Sequence, residues 1–361
     1  DIVKYGQEMI EVFSEPGGDL KEVIRTLGLS DEFTLFAVFH MREWEGGNDE
    51  IFSLARKVRG WGRIHAVEQL EPESEEIRKW LLKEGISNEV VPDYSALTVY
   101  QKANIRELLA GEATEDELYS IAAVIRALLS EEPVQGISAI EDADQMLLDF
   151  LRQAERCRPS LELCTAVYEI ATAERSEKVS TAGGEFLHSP AVKEAVAGWV
   201  EQGEAVDLAK YLGIDYYEPL YRCMAEDLSA HYFRCGDLLE SDAYREKTLE
   251  LFRKALPMDT MEGEPEDNLG LGEEYKDYSM LSYLVQNLQN YPLCGTDLVV
   301  LSLKSPVTRN RNMALRVLDA WCKAKECTLG ELSEEALRAV DILKEKECAE
   351  SVRKSIEKYG F

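Results

Sequence analysis

Residues 189–200 read Ser-Pro-Ala-Val-Lys-Glu-Ala-Val-Ala-Gly-Trp-Val. The serine offers a helix cap, and the proline stands at the first helical position, where its missing N–H leaves nothing unpaired. Val192, Ala195, Val196, Trp199 and Val200 follow at offsets of 0, 3, 4, 7 and 8. That spacing places all five on one face of a helix and predicts an amphipathic element. Near the other end of the chain, Ala314, Val317, Leu318, Trp321 and Cys322 repeat the same offsets with tryptophan at the same place. This second run follows Ser305-Pro-Val-Thr-Arg-Asn-Arg-Asn312 and a preceding apolar stretch from Asp297.

Two more stretches share the grammar. Asp49–Arg56 leads through a basic turn (Lys57, Arg59, Gly60) into Trp61–Leu70. Leu147–Arg156 leads through Arg158-Pro159 into Leu161–Ala171. Helical periodicity also marks 77–81, 249–256, 278–288, 337–343 and 352–359. Thr114-Glu-Asp-Glu117 reads as a capping box ahead of Leu118, Ile121, Ala122, Ile125 and Leu129. Phe33–Phe39 and Asp297–Leu303 are apolar runs compatible with either helix or strand, and no Asn-Gly or Asp-Gly hairpin signal lies between alternating runs. The expectation is an all-α chain of about sixteen to twenty helices.

A helix, a tight Pro- or Arg-bearing turn and a second helix rich in small residues resembles a degenerate HEAT-like, armadillo-type repeat. Residues 189–200 carry the likeness best and 305–321 next; about a third of the chain fits. The resemblance implies an α-solenoid of antiparallel helix pairs, each burying its apolar face on its neighbours. A non-repeating helical bundle is the alternative. Two longer breaks suggest the domain plan. Arg175–His188 is polar, with a Gly pair, and reads as a linker between helical repeats over 1–174 and 189–361. Pro257–Glu274 is acidic and rich in Gly and Pro, and reads as a long exposed loop, mobile or functional.

The chain has 361 residues, 40 Lys plus Arg against 69 Asp plus Glu, and a formal net charge of −29. Such a chain is repelled by duplex phosphates and by anionic membrane surfaces, so neither nucleic acid nor membrane is an expected partner. Some HEAT-like proteins act on DNA as glycosylases, but through basic concave surfaces. No stretch approaches the ~18–20 apolar residues that span a bilayer. Ile2–Phe13 reads as amphipathic rather than as a leader's apolar core, and cytoplasm is the expected compartment. Eight cysteines are too dilute for a disulfide scaffold, and none forms a Cys-x-x-Cys pair. Cys223, His231 and Cys235 lie close in sequence, but a fourth metal ligand is missing, so no metal site is expected.

Marked catalytic motifs are absent: no Gly-x-Ser-x-Gly, no phosphate-binding Gly-rich loop with Lys-Ser/Thr, no His-Glu-x-x-His. Leu269-Gly-Leu-Gly272 is only a Gly-x-Gly behind an acidic loop, and Asp267-Asn268 lacks the oxygen spacing of a calcium loop. No cofactor is implied. Two basic clusters stand against the acidic background: Arg56, Lys57, Arg59 and Arg63 around Trp61, and Arg309, Arg311 and Arg316. Two roles are open to them, a ladder to acids of the next repeat or contact with an anionic or peptide ligand beside an aromatic. Tyr216, Tyr217, Tyr221, Tyr232, Phe233 and Tyr244 form an aromatic cluster suited to an interface or pocket rim. The sequence therefore nominates Arg59, Trp61, Arg63, Tyr217, Tyr221, His231, Arg309 and Arg311 as binding residues of an interaction scaffold. Its expected partner is a protein or peptide of basic character. The alternative is an enzyme of unknown reaction, with a buried polar pocket near Tyr216–His231.

Overall fold

The computed structural model describes residues 18–361; the amphipathic stretch Ile2–Phe13 lies outside the described residues. Among them every regular element is a helix, and no strand is present. Both ambiguous apolar runs are helical, within Asp31–Arg42 and Thr296–Leu303. The helices exceed the expected number because several, such as Leu228–His231 and Leu329–Leu332, are single turns too short for a periodic signature.

Local capping chemistry sets many of the boundaries. Thr114 Oγ1 accepts the Glu117 N–H at 3.3 Å, and Glu117 takes back the Thr114 N–H at 2.8 Å, closing the capping box before Glu115–Leu129. Ser74, Ser160 and Ser333 accept the N–H three residues on, Ile77, Leu163 and Ala336 respectively, each at 3.2 Å. Each such bond satisfies one of the donors a helix start leaves open.

The chain divides into two compact units after Val196, inside the helix Pro190–Val200. The polar stretch 175–188 is not the linker expected from its composition: Glu177–Leu187 is a helix. Its glycine serves packing, since a Cβ at Gly183 would stand 2.8 Å from the Ala171 Cβ. Removing the side chain there lets this helix lie close against Leu161–Thr172.

In the first unit, Asp31–Arg42, Gly60–Gln69, Asp93–Lys102, Glu115–Leu129 and Leu161–Thr172 each pack on the next. Ile105–Ala110, Ala143–Ala154 and Glu177–Leu187 form a second succession beside them. The seam is filled by Ile121, Ile125, Leu147, Phe150, Val167 and Ile170, all buried. In the second unit the long helix Thr308–Lys325 is central. It packs on Lys276–Asn287, Thr296–Leu303, Leu329–Leu332 and Glu350–Tyr359, with Trp321 fully buried.

The acidic stretch 257–274 is not a free loop. Gly263 N–H donates to Lys304 O at 2.9 Å, Glu266 N–H to Pro306 O at 3.2 Å, and Thr308 N–H to Asn268 O at 2.8 Å. Glu262 and Glu264 pair with Lys304 and Lys346. Gly270 turns with φ +68° against Val307, and Met261 is buried. Composition reports solvation of side chains; these bonds are made by the backbone, which composition does not register.

Candidate functional site

The basic turns resolve mainly into structure. Arg63 is 2% exposed, so it offers no binding surface. Its Nε donates to Val58 O at 3.0 Å and its Nη1 to Glu84 O at 3.2 Å, and the guanidinium lies 5.2 Å from the centre of the Trp80 ring. Burial pulls its pKa down. Arg311 is likewise wholly buried, bound to Glu347 by two bonds of 2.7 and 2.9 Å and donating to Ser305 O, Pro306 O and Glu266 O. Arg309 donates from Nη2 to Ser279 Oγ at 2.8 Å, joining its helix to Lys276–Asn287.

These contacts belong to a regularity that no catalytic or binding motif covers. Arg63, Arg78, Arg245, Arg311 and Arg353 are each the fourth residue of a helix. Each donates backwards to the carbonyl five or six residues earlier, of Val58, Pro72, Leu239, Ser305 and Glu347 respectively. The guanidinium latches the turn onto the helix that follows it and satisfies a carbonyl outside any ladder. An arginine three residues after a helix start, behind a tight turn, was a legible signal for it.

Longer ion pairs join helices further apart in sequence: Arg106 with Asp142 and Asp149, Arg126 with Glu169, Arg234 with Asp207, Arg253 with Asp297. The last two span 27 and 44 residues. Arg234 and Arg253 hold the carboxyls of Asp207 and Asp297 below the usual carboxylate range.

Two nominated residues do face outward. Arg59 is exposed and pairs with Glu89 at 3.3 Å. Trp61 is 44% exposed, the most open of the five tryptophans, with its ring 4.8 Å from that of Tyr94 and 6.3 Å from that of His65. Beside Tyr94, Pro92 and Asp93 line a groove of about 620 Å³ whose other walls include Ile86, Ala123, Arg126 and Ala127. The groove was not foreseen, because its walls come from four separate segments.

In the second unit the tyrosines separate into two groups. Tyr217 stacks on Tyr244 at 5.8 Å and touches Tyr216 at 4.4 Å, Tyr221 lies 5.7 Å from Tyr244, and Lys247 Nζ sits 4.6 Å from the Tyr244 ring. The Tyr244 hydroxyl donates to Glu218 at 2.6 Å, which pushes its pKa up to about 12. Tyr232 instead meets Tyr283 and Phe233. His231 is half-buried, and its ring lies with Cys223 beside Gly203. Among the described residues no three His, Cys, Asp or Glu side chains converge as a metal set.

A polar cleft of about 290 Å³ is lined in part by Phe233, Asp237, Glu240, Tyr283 and Asn287. Tyr217, Tyr221 and His231 do not line it, and its acids are paired: Lys210 binds Asp237 and Glu240, and Arg234 reaches Asp237.

The thiols yield a direct prediction. Burial pushes Cys164 and Cys235 up to about 12, whereas Cys348 is exposed. At pH 8 a thiol of pKa ~12 is thiolate in about one molecule in ten thousand. N-ethylmaleimide will therefore label Cys348 at least about a hundredfold faster than Cys164 or Cys235 in the folded chain. Peptide mass spectrometry checks this, and equal labelling of Cys235 and Cys348 would refute the burial. No family model, curated protein or solved structure matches this chain.

Proposed function

We propose that this protein is an interaction scaffold, a HEAT-like α-solenoid of antiparallel helix pairs that binds a protein or peptide segment of basic character in the cytoplasm. The observation that carries the reading is where the cations go. Arginines are drawn inward as turn latches, as at Arg63 and Arg311, or matched to carboxylates of another helix, as at Arg126, Arg234 and Arg253. With 69 acids to 40 bases, carboxylates are left in excess for the outer surface. Such a surface attracts cationic segments from a distance and disfavours nucleic acid and anionic lipid.

The side-by-side succession of helices in the first unit, and ion pairs reaching from one part of a unit to the next, support the solenoid reading. Repeat arrays of this kind present extended surfaces suited to segments of another chain. Binding of the immobilised chain to synthetic peptides, duplex DNA and phosphatidylserine vesicles tests the function. Lysine- and arginine-bearing peptides are expected to bind and to weaken as salt rises, with DNA and vesicles silent. Silence toward every cationic peptide at ~0.05 M salt, where screening is weak, would overturn the reading.

A further inference from the structure

The partner's chemistry can be narrowed at the groove of the first unit, a step that rests on the interaction-scaffold reading. The groove, about 620 Å³, lies where Glu115–Leu129 and Leu161–Thr172 end and Asp93–Lys102 begins. Much of its lining is short or aliphatic: Ile86, Pro92, Ala123, Ala127, Leu129 and Ala173. Three alanines leave room that longer side chains would fill. Space of this size accommodates a few side chains of a peptide.

Three features select a cation for the polar end. Asp93 Oδ1 is buried and accepts no hydrogen bond among the described residues. A buried acceptor without a donor is costly, and an incoming N–H would relieve it. The last turns of two helices bring the negative ends of their dipoles to the same rim, against the positive end of the one helix that starts at Asp93. The cation already there, Arg126, is neutralised by Glu169, with bonds of 2.8 Å from Nη2 and 3.0 Å from Nε. Next to Asp93 in the chain, Tyr94 carries the exposed Trp61 ring at 4.8 Å, a surface on which a further cation or aromatic side chain can rest.

We infer that this groove binds a peptide segment in which a lysine or arginine is flanked by small aliphatic residues. The cation donates to Asp93 Oδ1, and the aliphatic side chains cover Ala123 and Ala127. A charged but wholly polar segment gains only the first contact, and an acidic segment meets Asp93 with like charge.

The test uses synthetic peptides of about twelve residues, which span up to about 40 Å when extended. One set places two lysines among valines and alanines, a second replaces the aliphatics by serine, and a third replaces lysine by glutamate. Titrations at ~0.15 M salt follow tryptophan emission and calorimetric heat. Asp93→Asn removes the charge, and Ala123→Tyr fills the groove from an exposed position. Circular dichroism and Tm verify that both variants fold, and Trp61→Phe identifies the fluorescence reporter.

The aliphatic lysine set is expected to bind, and each variant to weaken it about tenfold or more. The serine set should bind at least about tenfold more weakly than the aliphatic set. If the aliphatic lysine set binds wild type and both variants equally, the groove assignment is wrong while the basic-partner reading stands. If no cationic set binds at either ~0.05 or ~0.15 M salt, both fail together.

Discussion

Replacing Arg311 by methionine will destabilise the second unit by about 3–5 kcal/mol, the scale for breaking one side of a buried ion pair. Both partners are fully buried, so the substitution leaves the Glu347 carboxylate without water and without its guanidinium. It also takes the guanidinium donor from the carbonyls of Ser305, Pro306 and Glu266, although Pro306 O keeps the Glu266 N–H and Glu266 O the Thr308 hydroxyl. Since 2–4 °C of Tm follows each kcal/mol in units of ~150–250 residues, a fall of roughly 6–20 °C is expected in a thermal melt. The double variant Arg311→Met, Glu347→Leu should recover a substantial part of the loss, because it removes the stranded charge along with its partner. The pair also helps to hold the acidic stretch, through Glu266 O. Hydrogen exchange at the Gly263 and Glu266 amides should accelerate in the single variant. A loss under about 1 kcal/mol would mean that water or another cation reaches Glu347, against the burial described.

Trp321→Ala is the second large effect, expected at about 3–5 kcal/mol. Trp321 is fully enclosed, and its Nε1–H donates to Leu288 O at 2.8 Å. Truncation leaves a cavity the size of an indole, which is the main cost, and takes one donor from Leu288 O, which keeps the Tyr291 N–H. Trp199 holds the same place in the same offset pattern, yet its side chain is only half-buried. Trp199→Ala should cost less than about half as much. Chemical denaturation of both variants decides the matter. Equal losses would mean that the indole at 199 is as enclosed as the one at 321.

That contrast marks how far the sequence could be read. An all-helical chain, the capping box at Thr114 and the apolar faces of Glu115–Leu129 and Thr308–Lys325 were all legible. Each depends on residues within one or two turns of one another. The same local grammar made 175–188 look like a linker, because a glycine that serves helix packing and a glycine that serves flexibility have one symbol. It made 257–274 look loose, because acidic side chains advertise solvent while the bonds to Lys304, Pro306 and Thr308 are written in the backbone.

The candidate site was less legible still. Of the nominated residues, Arg59 and Trp61 lie on the surface beside Tyr94 and the groove, whereas Arg63 and Arg311 point inward as latches. Arginine in a turn reads identically in both cases; its fate depends on whether a carbonyl or carboxylate such as Glu347, 36 residues away, is brought within reach. Helix type, many helix starts, the apolar stripes and the surplus of carboxylates follow from residues close together in the chain. Those follow from the period of 3.6, from hydrogen bonds within a turn, and from counting charges. Which tryptophan is sealed, which arginines are consumed, and that Asp93 Oδ1 stands unpaired at a groove depend on the packing of distant segments. These are questions of what covers a given face, and the covering residues come from distant parts of the chain.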